Sequence, residues 1–133
     1  MANAVQATAK KLFLDGDIDL LTDTIKVTLV DLADYTYSAA HDFLADVPAA
    51  ARVATATLAS KTTTGGVFDA ADAAFPAATG DQSEALWIWK DTSNEATSPL
   101  LAYIDSATGL PVTPAGVDIT IIWDNGANKI FAL

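Results

Sequence analysis

The sequence predicts a mainly β fold, a β-sandwich or open β-barrel formed by residues 1–133 as one domain, with a short N-terminal helix and one small helical excursion. Three observations lead there. Short runs of β-branched and aromatic residues recur along the chain. Gly, Pro, Asn and Thr clusters separate them, and the strand–helix alternation of a parallel sheet is missing. A chain of 133 residues has room for one hydrophobic core that buries roughly two thirds of its unfolded surface.

The elements follow in order. Ala4 to Leu14 is rich in helix formers, and Val5, Ala9, Leu12 and Phe13 fall near one face, with Gly16 placed to end the helix. Thr24 to Val30 alternates Ile25, Val27 and Leu29 with Thr24, Lys26 and Thr28, the signature of a half-buried strand. Ser38 to Leu44 reads as one or two helical turns capped by Ser38 and stopped before Pro48. Arg52 to Leu58 is a strand of small and branched residues. Val67 to Phe75 is a weaker one, broken near Ala71-Asp72. Glu84 to Lys90 is the strongest strand, with Trp87 and Trp89 on one face and Leu86 and Ile88 on the other, which suits a central position. Leu100 to Asp105 and Val117 to Trp123 follow. The turn signal Asp124-Asn125-Gly126 then predicts a hairpin whose return arm is Lys129 to Leu133.

Charge and composition exclude several functions. Seventeen Asp and Glu against seven Lys and Arg give a net charge of −10, a field that repels phosphate backbones and anionic lipid. Neither nucleic acid nor membrane is an expected partner, and no apolar run approaches the roughly 20 residues of a membrane-spanning helix. Met1 to Val5 lacks the pattern of a secretory signal, so synthesis in the cytoplasm is expected. The absence of Cys removes disulfides, thiolate metal sites and cysteine nucleophiles together.

No constellation in the sequence carries chemistry, and neither a cofactor nor a metal is expected. Asp15-Gly16-Asp17-Ile18-Asp19 has the alternating oxygens of a calcium loop, but the sixth position is Leu20 and the twelfth Lys26, so it reads as an acidic turn ending a helix. His41 stands beside Asp42 and near Ser38, yet adjacency in sequence does not place a base between a nucleophile and its orienting carboxylate. Asp69, Asp72, Asp81 and Glu84 offer carboxylate pairs, none singled out by spacing. Gly65-Gly66 leads into Val67-Phe68 and cradles no phosphate. Trp87 and Trp123 are expected in the core, and Tyr35 and Tyr37 are expected to be exposed at an interface.

Several stretches resemble small virion proteins of tailed bacteriophages: Leu14 to Leu20, Thr22 to Val27, Ala51 to Thr55, Gly66 to Ala70, Leu101 to Thr113 and Trp123 to Phe131, together with Met1 to Val5. The resemblance covers nearly the whole chain. It implies a non-enzymatic structural role, capsid decoration or cement, on the outer capsid surface of a virion made in the host cytoplasm. The implied partners are the major capsid protein and sister copies of the chain. Val5, Leu12, Phe13, Tyr35, Tyr37 and Phe43, the apolar residues of the least sheet-like segments, are the expected contacts, with cover for the open ends of the barrel as the equal alternative for these segments. A tail component and a carbohydrate-binding module are the competing expectations.

Overall fold

The computed structural model describes residues 4–133. Its frame is a five-stranded antiparallel sheet ordered β1-β7-β6-β2-β3, built from β1 (Ala4–Val5), β2 (Ile25–Val30), β3 (Arg52–Thr57), β6 (Ala85–Lys90) and β7 (Leu100–Ile104). Two antiparallel ribbons join it: β4 (Val67–Phe68) with β9 (Phe131–Ala132), and β5 (Ala73–Phe75) with β8 (Ile119–Ile121). One helix, α1 (Ala7–Asp15), follows β1. The fold is mainly β and forms no closed barrel.

Alternation along the central strands creates two cores. Val27 and Leu29 of β2 with Leu86 and Ile88 of β6 point to one face. There they pack with Phe68, Phe75, Ile121 and Phe131 of the ribbons and with Ala9 of α1. Trp87, Trp89 and Tyr103 point to the other face, where residues from 31–51 cover them: Tyr35, Leu44, Val47 and Ala51 are buried against these rings. The tryptophan strand is the third of five, as its two apolar faces require. Trp87 and Trp123 are in the core, as expected.

Four sequence expectations need correction. Ala4 and Val5 are not helical: they pair with Tyr103 and Ala102, and α1 begins only at Ala7. The free edge of β7 offers backbone partners that outweigh the helix propensity of one extra turn. Ser38 to Phe43 is not helical either. Ser38 Oγ accepts the Ala40 N–H at 3.1 Å in a local turn, and Phe43 bridges Pro99. The helical turns come later, as 3₁₀ segments at Leu44–Asp46 and Ala49–Ala51. The cap is Asp46, whose Oδ2 accepts the N–H groups of Asp42 and Phe43 at 2.9 and 3.0 Å. The C-terminal hairpin does not form. β8 pairs with β5 and β9 with β4, so Phe131 meets Phe68 with ring centroids 5.2 Å apart. Finally, Val117 to Trp123 contracts to Ile119–Ile121 and leaves Val117 exposed.

One glycine is held by close approach. Gly109 has φ +107°, and a Cβ there would sit 3.1 Å from both Ile121 Cδ1 and the Thr120 carbonyl oxygen. Gly109→Ala is therefore expected to destabilise by more than about 1 kcal/mol, since left-handed strain adds to a clash with backbone. A lowered urea midpoint at unchanged slope is the readout; an unchanged midpoint would refute the strain.

Candidate interaction surface

The N-terminal segment and the loop before β3, separate in sequence, are joined in the fold. Gln6, between β1 and α1, is 2% exposed. Its Nε2 donates to the His41 carbonyl oxygen at 2.6 Å, and its Oε1 accepts the Tyr37 hydroxyl at 2.9 Å. Thr8 Oγ1 donates to Asp42 Oδ1 at 2.6 Å in the first turn of α1. Five residues from two segments, Gln6 and Thr8 on one and Tyr37, His41 and Asp42 on the other, thus form one polar seam. It seals the second core at its edge.

Behind the seam lies an aromatic stack. Tyr37 lies over Trp87 with centroids 6.0 Å apart and meets Tyr103 at 4.7 Å. Burial pushes the Tyr103 hydroxyl up to about 12, and nearby Asp105 adds to the shift. Burial also raises Tyr35, opposed by the adjacent indole N–H of Trp87. That N–H makes no hydrogen bond of normal geometry. Trp89 and Trp123 are satisfied, by Thr28 Oγ1 at 2.9 Å and the Ala71 carbonyl at 3.0 Å.

The six expected contact residues are used by the fold itself. Val5, Leu12 and Phe13 are half-buried against the first core, and the Phe13 ring lies 6.2 Å from Phe131. Phe43 is half-buried at its bridge to Pro99. The expected exposure of Tyr35 and Tyr37 is wrong: Tyr35 is buried and Tyr37 partly so, because the second face of the sheet needs a cover. The large apolar side chains left in water are others: Leu14 at 88% exposure, Val117, Leu133, Leu21 and Ile122. Leu14 had a visible sign, since it falls off the face shared by Ala9, Leu12 and Phe13. Leu21 sits in a turn fixed by Asp19, whose Oδ1 accepts the N–H groups of Leu21 and Thr22.

Several of the polar groups singled out in the sequence have other partners in the fold. His41 Nδ1 is 2.7 Å from the Tyr35 hydroxyl, while Asp42 is held by Thr8 and Ser38 Oγ by Ala40. Asp15 pairs with Lys11, and Asp19 caps its own turn. Asp72 and Glu84 accept backbone N–H groups of Trp123 and Leu32. The fold instead brings Asp31, Asp34 and Asp81 together, with one oxygen from each within 4.8 Å of the others, a grouping that local sequence spacing does not reveal. Asp31 is buried and the other two are exposed.

Among the described residues Lys11 is tied to Asp15, Lys26 to Asp91, Arg52 to Glu95 and Lys90 to Asp23, and the excess of carboxylates leaves an acidic exterior. Several carboxylates stabilise turns. The Phe43 and Asp42 N–H groups lower the Asp46 pKa, so its contribution is present above the unfolded value near 3.9 and is lost as pH falls through the folded one. Asp46→Asn is thus expected to lower the urea midpoint at pH 7, with the gap to the parent closing below about pH 4. A gap that stays constant with pH would show that the carboxylate charge contributes nothing.

An open groove of about 740 Å³ lies between the β1/β7 edge and the segment after β8, lined among others by Ile104, Trp123, Asn128 and Lys129. No helix among the described residues is long and apolar enough to cross a membrane. No protein-family model matches the chain, and no curated protein sequence matches it.

Proposed function

We propose that the chain is a structural protein of a tailed-bacteriophage virion, a capsid decoration protein that binds the outer surface of the assembled head and bridges major capsid protein subunits. The sequence resemblance names the class. The observation that carries the reading is the surface itself: an acidic exterior on which Leu14 at the end of α1, Leu21 in a turn, Val117 in a bend, Ile122 after β8 and Leu133 after β9 expose apolar side chains. Such side chains can enter small pockets on a partner without any rearrangement of the sheet. A lattice presents many equivalent sites, so modest contacts by each copy suffice over a shell. The three buried tryptophans offer no platform for stacking a sugar, so the observations do not favour the carbohydrate reading.

The test is binding of the purified chain to assembled shells that lack it, followed by cryo-electron microscopy. Density at repeating positions on the outer lattice is the expected result. Density confined to the tail, or none on the particle, would overturn the reading. Leu14→Lys should leave stability within about 0.5 kcal/mol, because the side chain is exposed and a cation suits the last turn of α1. If α1 docks on the shell, the same substitution should abolish shell binding.

A further inference from the structure

We propose that Asn125 is a self-modification site, where the side-chain amide is converted to a carboxylate after attack by the backbone nitrogen of Gly126. Asn125 is exposed and lies outside every strand and helix, in the connection from β8 to β9. Among the described residues no hydrogen bond restrains its side chain. The next residue is glycine, so no Cβ shields the attacking nitrogen. A Cβ there would meet only the Asp124 carboxylate, with Oδ2 at 2.9 Å. Asp124 Oδ1 accepts the Gly126 N–H at 3.0 Å, so the attacking nitrogen must leave this exposed bond before it reacts.

The chemistry needs only water. The Gly126 nitrogen loses its proton and forms a bond to Asn125 Cγ, the side-chain amide nitrogen leaves as ammonia, and a five-membered imide results. Water then opens the ring at either carbonyl, giving aspartate or its isomer in which the main chain runs through the side chain. The net change is amide plus water to acid plus ammonia. Each event adds one negative charge to a chain already at −10. The isomer also lengthens the main chain between the buried Trp123 and Ile130, which line the groove beside β1.

Two described asparagines serve as internal controls. Asn94 Oδ1 is held by the Ala96 N–H at 2.9 Å and precedes Glu95, and Asn128 precedes Lys129; both following residues carry a Cβ. The experiment is incubation of the full chain at mildly alkaline pH, read by isoelectric focusing and by peptide mapping that separates aspartate from its isomer. Expected is an acidic band shifted by one charge, mapped to Asn125 as both isomers and absent in Asn125→Gln, a variant that keeps the glycine. Asn125 remaining intact, or changing no faster than Asn94 and Asn128, would overturn the proposal.

Discussion

Trp87→Ala is expected to cost about 3–5 kcal/mol, the range for emptying a large aromatic site in a packed core. Trp87 is fully buried at the middle of the central strand, with the mutually packed rings of Tyr37 and Tyr103 against it at 6.0 and 5.3 Å. A domain has about 5–15 kcal/mol in total, so the variant should be folded but fragile at 25 °C. Trp87→Phe separates two contributions. It leaves a smaller cavity and also removes an indole N–H that has no acceptor of normal geometry, a group whose burial costs about 1–3 kcal/mol. The phenylalanine variant should therefore lose much less than its missing volume suggests. Urea melts of both variants decide the matter: equal losses would mean that the N–H is satisfied in solution, and a negligible loss for alanine would mean that the second core is not cooperative with the sheet.

This core also marks what was legible in the sequence. The boundaries of β2, β3, β6 and β7 lie within one residue of those that alternation predicts, because a buried strand writes its period directly into its side chains. Pairing is less legible. Asp124-Asn125-Gly126 announces a turn, yet a turn signal does not say which strand the returning arm will meet. Here burial of Phe131 against Phe68 and Phe13 takes β9 away from β8. The burial of Tyr35 was in fact implied by β6 and β7. Strands apolar on both faces need cover on both, and the segment 31–51 supplies cover for the face carrying Trp87 and Tyr103. The expectation of an exposed Tyr35 treated the loop alone and left that demand out. The exposed Leu21 is hardest to anticipate, since a single apolar residue in a turn follows no period.

Gln6→Ala should have the largest effect of any polar substitution, because one side chain holds two segments together. Removing it leaves the Tyr37 hydroxyl and the His41 carbonyl without their partner, at about 1–3 kcal/mol for each group that stays buried. The loss need not be global. Gln6 also donates its backbone N–H to the Leu101 carbonyl at 3.0 Å, a bond that alanine keeps, so β1 should remain in the sheet. Opening should instead concentrate in the loop that the side chain clamps. Amide exchange tests this, since the Leu44 N–H is bonded to the Ser98 carbonyl and the Leu100 N–H to the Asp42 carbonyl, both at the loop's junction with the sheet. These amides should exchange faster in the variant, while those of Val27 and Ile88 keep their protection. Gln6→Leu restores the volume without the hydrogen bonds and should behave like the alanine variant. If leucine instead recovers parental stability, the seam acts through packing alone. Uniformly faster exchange would mean that the loop and the sheet unfold as one unit, so that the cover over Trp87 is part of the core rather than a clamp closed upon it.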